Sequence, residues 1–483
     1  MYPSFWIPVE VSAPSVYNYC NHVLAGFDSL CNLEAGPRRR GLSLCKTGRI
    51  FEAREKGDEL LKCHIRTLIT PKYMIMGVKA EFEGIALLHS RANPLNIPED
   101  VLERAVSLYV ESISFDSLLG TDPVPFSDDM LRKFDEVDTA KKPLSEISRA
   151  LKKIELEGLG RNTPIREEYV AAWNMSGLTA GNVTISSGDT GITTAIDAFA
   201  EFAYRTDILR DIIVKATRAE DILRAKREGK RALVCNLQNT AVLHDSMDLE
   251  KQLDTVDLFY HYGVRVWQLT YNLRNLVGDG CTEPNAGGLT LFGERVVNRM
   301  NELRILIDVS HCGHKTTLDA VERSSVPIAA THATCKGVYE HARGKTDEEL
   351  QAITEKGGYV GICMVPAYLA QNATLKDWLD HIDYAADLLG VEHVGIGTDN
   401  WYRSPKYPRR LAQLENENMS FWSGFRPEHG LDLTSYPAEF GSEFSWTNWP
   451  YFAAALASRG YSDNEIKGMI GQNFLRLFES VVG

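Results

Sequence analysis

From about residue 105 onward, short continuous apolar runs alternate with longer stretches in which apolar residues recur at helical spacing. The runs are Ser112–Phe115, Asn182–Ile185, Ala232–Leu237, Val264–Leu269, Ile305–Val309, Ile328–Thr331, Tyr359–Val365 and Val394–Gly397. Each is short and rich in Val, Ile, Leu, Phe or Ala, the pattern of strands buried on both faces of a parallel sheet. Between them, Thr217–Arg227 opens with Thr217 and Glu220 at capping-box spacing. Thr346–Lys356 repeats the device with Thr346 and Glu349 and stops at Gly357-Gly358, and Asp380–Leu389 stops at Gly390. Eight strands with intervening helices predict an α/β fold, a (β/α)8 TIM barrel over residues 106–483. A doubly wound open sheet is the alternative. No GxGxxG or GxxxxGK[ST] loop follows any strand, which weakens its nucleotide-binding version.

Residues 1–105 carry mixed segments such as Tyr73–Val78 and Ile85–Leu88 among Pro, Gly and charged clusters. They are expected to form an N-terminal extension, either a small accessory domain or an arm. After the last strand a long loop is expected over 401–446, carrying Trp401, Tyr402, Trp422, Phe425 and Tyr436. Loops in that place shape specificity, so it is read as an aromatic lid, with rim packing or a dimer contact as the bland alternatives.

Composition narrows the classes. The 483 residues are 44% hydrophobic and 24% charged, which rules out a disordered or collagen-like chain. The formal net charge of −13 argues against a nucleic-acid binder, and Arg38-Arg39-Arg40 reads as a solvated loop. No apolar stretch reaches the ~20 residues of a membrane span. The N-terminus, broken by Pro3, Pro8, Glu10 and Pro14, lacks a signal-peptide pattern. Nine scattered cysteines without a CxxC pair suggest reduced thiols and a cytoplasmic location.

In a barrel of this kind chemistry sits at the C-terminal ends of the strands. Strand three ends in Asn236-Leu237-Gln238-Asn239, strand four in Thr270-Tyr271-Asn272, and strand five in Asp308-Val309-Ser310-His311. Strand six ends in Thr331-His332 and strand eight in Thr398-Asp399-Asn400. Two histidines from neighbouring strands and an Asp from the last would meet at one mouth. Neutral imidazoles plus a carboxylate are a usual zinc set, and bound zinc lowers the pKa of its water to ~7. A lone His beside an apolar run is more often structural, so the reading rests on the joint pattern. His314, His381 and His393 are weaker cases, and the remaining histidines are read as structural.

These motifs resemble the membrane (renal) dipeptidase family of zinc peptidases, peptidase M19. The resemblance runs from about Thr217 to the C-terminus. It is carried by Gly263-Val264-Arg265 with the following LTYN, GGLTLFGERVV from Gly287, LIDVSH ending at His311 and ATHA around His332. It continues through EHARGKTDEEL from Glu340, EKGGYVGI from Glu355, GIGTD ending at Asp399 and IGQNFLRLF from Ile470. The resemblance implies a barrel of the amidohydrolase type. It also implies two zinc ions, one on a His-x-Asp pair after strand one, one on the histidines after strands five and six, with a bridging Glu from strand three. On that pattern His311 and His332 are metal ligands, Asp399 is the strand-eight proton carrier, and Arg343 binds the substrate carboxylate.

Three matches fail. Asp116-Ser117-Leu118-Leu119-Gly120 puts Leu118 and Gly120 at the first ligand positions, with Asp122 usable only through a shifted loop. Gln238 replaces the bridging Glu, and Tyr271 replaces the substrate-facing His. A neutral amide offers one oxygen and no charge, so it is a poor bridge. The expectation is at most one zinc on His311 and His332, with Gln238 and Asp399 as oxygen ligands, and a second site lost. The expected function is hydrolysis of an amide bond in a small, dipeptide-like substrate, with Tyr271 donating to the oxyanion. The alternative is an inactive or repurposed barrel: a binding protein, or a non-hydrolytic enzyme such as a lyase. A homodimer is a further expectation.

Overall fold

The structure, a computed structural model, describes residues 93–187, 191–244, 248–422 and 442–483, together with three short strands nearer the N-terminus. The chain divides into two compact units, Met1–Met76 and Gly77–Gly483. In the first, Ser43–Leu44, Arg49–Ala53 and Cys63–Thr67 form an antiparallel sheet. The segments around Arg38, Tyr73–Val78 and Ile85–Leu88 lie outside the described residues. In the second, the helix Glu99–Glu111 leads into the barrel.

The barrel strands are β1 Phe115–Leu119, β2 Ala180–Ser186, β3 Arg231–Leu237, β4 Val264–Gln268, β5 Leu306–Asp308, β6 Ala329–Cys335, β7 Tyr359–Ile362 and β8 Val394–Ile396. All neighbours pair in parallel and in chain order. The ring closes just beyond the strand ends. There Leu119 and Asn400 form a parallel bridge, and the Asp399 N–H donates to Leu118 O at 2.9 Å. This is the predicted (β/α)8 architecture.

The inward positions fall in layers, as the two-residue period of a strand requires. The lowest layer is apolar: Phe115, Ala180, Val234, Val266, Leu306 and Ala329, plugged by Phe474 of the C-terminal helix Asn473–Val482. Two residues further along the same strands stand Ser117, Asn182, Asn236, Gln268, Asp308 and Thr331, a fully buried polar layer. Ser117 Oγ donates across the barrel to Thr331 O at 2.6 Å and Ile396 O at 2.9 Å.

This polar layer explains the one misplaced strand. The apolar run Ser112–Phe115 predicts β1 three residues early, because Asp116 and Ser117 look unlike core. In the barrel their polar atoms are satisfied: Asp116 accepts from the Thr398 N–H at 2.9 Å and the Thr398 hydroxyl at 2.6 Å. An additional strand, Ile213–Ala216, pairs beside β3 off the ring. Its four residues include an outward Lys215 and gave too short a run to read.

The capping expectations divide. Thr346 and Glu349 form the predicted box before the helix Asp347–Glu355. The helix after Thr217 is Ala219–Glu228, and Asp221 rather than Glu220 accepts from the Thr217 and Arg218 N–H groups. The helix Leu375–Leu389 begins one turn earlier than read and ends at Gly390, whose φ is 86°.

The segment after β8 is not one long loop. Val124 and Arg403 form a second parallel bridge, the Val124 N–H donates to Tyr402 O, and the Ser404 N–H donates to Val124 O. Tyr402 donates from its hydroxyl to Glu168 at 2.7 Å. A helix, Arg409–Trp422, follows. Trp446 is buried edge-on to Trp173. Phe425 and Tyr436 lie outside the described residues.

Candidate active site

His311 follows the end of β5, His332 lies within β6, which runs on to Cys335, past the strand end expected from the sequence, and the two rings face each other. Their Nε2 atoms are 2.8 Å apart. Each ring is held from behind at Nδ1. Asn272 Oδ1 lies 2.6 Å from His311 Nδ1 and also accepts from the Cys281 thiol. Thr331 Oγ1 lies 2.8 Å from His332 Nδ1. That hydroxyl donates to Asp308 Oδ2 at 2.6 Å, so it accepts from His332. The network therefore places a proton on both Nδ1 atoms and leaves both Nε2 atoms with lone pairs directed at one point. Burial first, then the Arg343 charge, holds both imidazoles well below their ordinary pKa and keeps them neutral. Two lone pairs 2.8 Å apart repel, so the pair is relieved either by a shared proton or by a metal cation bound in front of both nitrogens, and the donor set is compatible with a metal ion.

The scaffold behind the pair is charged. The Arg343 guanidinium, 1% exposed, donates through Nη1 to Ser310 O and through Nη2 to His332 O at 3.0 Å, tying the two histidine-bearing segments together. Its Nε has no hydrogen-bond partner, and among the described residues no carboxylate pairs with it within 4.0 Å. The Tyr368 ring lies 5.5 Å beneath it. Lys345 Nζ holds Cys312 O at 2.7 Å, one residue past His311. Tyr271 stacks on His311, ring centres 4.2 Å apart. Burial, and next the Asp399 carboxylate, raise the Tyr271 phenol, so it remains a donor. Asp399 ends β8 with a φ of 51°, a left-handed backbone that Asn and Asp tolerate best among side-chain-bearing residues.

Gln238 is buried at the end of β3. Its N–H donates to Ser186 O and its carbonyl accepts from Gln268 Nε2 at 2.8 Å. No hydrogen bond joins its side chain to either imidazole among the described residues. The structure thus brings Tyr271, His311, His332 and Arg343 into one contiguous group with Asp399 in electrostatic reach, and places Gln238 at a neighbouring strand end.

The sequence profile of the membrane dipeptidase family, peptidase family M19, matches residues 197–420. The chain is 28% identical to dipeptidase verJ of Clonostachys rogersoniana over 269 residues, 55% of this chain and 59% of that one. It is 33% identical to dipeptidase aclJ of Aspergillus oryzae over 230 residues, 46% and 47% of the two chains. A crystal structure of an amidohydrolase from Pseudomonas aeruginosa superposes with a TM-score of 0.56 at 24% identity, over 78% of this chain and 98% of that one. Over residues 197–420 the chain is similar to the membrane dipeptidase family. It spans about half the length of the curated relatives it matches.

Relative to the dipeptidase pattern, the first metal position is not merely short of ligands. A Cβ at Gly120 would overlap the six-membered ring of Trp401, so the place of a family carboxylate is filled by indole. Leu118 is fully buried. Asp122 does not substitute: both its oxygens bind Arg205 at 2.7 Å, and it accepts from the Tyr169 hydroxyl at 2.9 Å. Among the described residues no group of three or more His, Cys, Asp or Glu is placed to hold a metal.

Sequence reasoning quoted Asn272, Asp308 and Thr331 at strand ends without giving them the task of orienting the histidines. The signal was there: Asp308 precedes His311 by three residues, and Thr331 adjoins His332. His381 accepts from the Cys335 N–H at 3.1 Å and lies 3.1 Å from Leu369 O, and His393 lies 2.8 Å from Gly358 O. His314 opens the helix His314–Arg323 beside Glu349.

Proposed function

We propose that this chain hydrolyses an amide bond in a small, dipeptide-like substrate, with one zinc ion held by His311 and His332. The observation that carries this reading is the facing pair of Nε2 atoms, each with its Nδ1 already engaged. Asp399 and Gln238 are the candidate oxygen donors beside them. Bound zinc would polarise a carbonyl and supply a nucleophilic water near neutral pH. The chain's own residues do the rest. Tyr271 donates a hydrogen bond to the oxygen that gains charge, and Asp399 takes up and returns a proton. Arg343, a buried cation with no carboxylate paired to it among the described residues, draws the substrate's carboxylate toward the mouth. The nine scattered cysteines, of which Cys235, Cys281, Cys312, Cys335 and Cys363 are free thiols, support a reducing, cytoplasmic setting. No described helix is long and apolar enough to cross a membrane.

A second reading, a barrel that binds such a molecule without cleaving it, is favoured by the neutral Gln238 and the indole over Gly120. Elemental analysis and dipeptide hydrolysis separate the two. The first reading expects about one zinc per chain, lost in His311→Ala together with amine release from a dipeptide panel. A folded wild-type protein that takes up no zinc and cleaves nothing overturns it.

A further inference from the structure

Gly120 and Trp401 face each other across the seam where β1 meets β8. The glycine is the only residue type the indole leaves room for, since any Cβ there would meet Cε3 and Cζ3 of the ring. The backbone that carries the ring is held in place. The Trp401 N–H donates to Asn400 Oδ1 at 2.8 Å, and the Gly120 N–H donates to Asn400 O at 3.3 Å. The same strand continues through the Tyr402 and Ser404 bonds to Val124. Arg403 lies 5.6 Å from the indole on its neighbour's side. The main chain of both partners is thus pinned, and neither backbone can shift without opening the seam.

We infer that Trp401 is a positioning residue that locks the mouth into a single-metal form: the indole occupies the space of a ligand at 120 and lines that half of the mouth with apolar surface beside the buried Leu118. The inference rests on the zinc-site reading above for the surviving half, but it concerns the other half and is scored by a difference in zinc count. Restoring the lost donors alone is then insufficient. A carboxylate at 120 collides with the ring, and overpacking of that kind is destabilising.

The test compares Gln238→Glu/Leu118→His/Gly120→Asp with the same protein carrying Trp401→Ala, each beside Gln238→Glu alone, by equilibrium dialysis against zinc and by thermal unfolding. With Trp401 present, Tm falls by several degrees and no zinc is gained over Gln238→Glu. With Trp401→Ala, Tm recovers and one zinc per chain is gained. A gain of zinc with Trp401 in place overturns the lock, as does a folded Trp401→Ala protein that gains none. If the donor variants do not fold, Gly120→Ala and Gly120→Ala/Trp401→Ala test the interlock directly. The single variant must melt lower than wild type and the double variant must regain part of the loss, and equal melting of Gly120→Ala and wild type overturns the inference. If wild type binds no zinc, the hydrolase reading fails while these differences still decide the lock.

Discussion

Asp399 sits in a left-handed backbone conformation that most residues with a Cβ avoid, and its carboxylate lies within electrostatic reach of Tyr271. Asn is the residue closest to Asp in both shape and tolerance of that conformation. Asp399→Asn should therefore leave Tm within a few degrees of wild type while lowering dipeptide turnover by about 10²–10⁴, the range of a lost general acid–base group. Equal rates would remove Asp399 from the reaction. Gln238→Glu is the complementary change. If its side chain reaches the histidine pair, the added charge should tighten zinc binding by at least about tenfold, or roughly 1.4 kcal/mol, in a competition titration. Unchanged affinity would show that Gln238 serves only its own strand end.

At the scale of elements, the strand-end carboxylates work as clasps between neighbours. Asp308 Oδ1 accepts from the Ser310 and Thr331 N–H groups and from the Ser310 hydroxyl, joining β5 to β6. Asp116 joins β1 to β8 in the same manner, and burial, opposed by those hydrogen bonds, pushes it up to about 8. These clasps were hard to read because a buried carboxylate interrupts the apolar run that marks a strand. The histidines and Asp399 were legible because each stands where a run stops. Trp401 was visible only as an aromatic in an insertion: nothing in the sequence says that its ring lies on Gly120, 281 positions away in the chain. A further element-scale contact gives a pH prediction. Glu349 lies 3.1 Å from Lys345 Nζ, both almost fully buried, and also caps its helix through Thr346. Lys345 and the Thr346 N–H overcome the burial penalty and bring Glu349 down to about 2. Its ordinary pKa is higher, so the unfolded chain binds the proton first. The contact stabilises the fold fully above the ordinary carboxylate range and loses that effect as pH falls toward about 2. The span is worth on the order of 3 kcal/mol. Glu349→Gln should flatten the stability curve between pH 5 and pH 2 in urea unfolding by about that amount, and an unchanged curve would place the acid sensitivity elsewhere.

For the whole molecule, the eight-strand ring and its order were legible from alternation of runs and helices, and the family motifs fixed which strand ends matter. What stayed hidden was how the ring is held from outside. Arg205, in the helix Ile192–Ile208, is 5% exposed and bonds both oxygens of Asp122, with Glu155 at 3.1 Å, so one buried cation joins three separate elements. Removing it leaves two carboxylates in low dielectric without a counter-ion. Arg205→Met should lower unfolding free energy by about 3–5 kcal/mol in denaturant titration, and a loss under about 1 kcal/mol would mean that water reaches the site. Asp122→Asn on that background should recover part of the loss, since it deletes one of the stranded charges.

The stitching of residues 400–404 onto 118–124 also gives the cylinder a back wall. On the side of the first and last strands the rim is sewn together by main-chain bonds. Elsewhere on the rim, the turns after β3 and β4 carry Gln238 and Tyr271. Exchange of loops for new substrate preference belongs at those turns, and grafts placed between Asn400 and Ser404 would unpick the seam before they changed what enters.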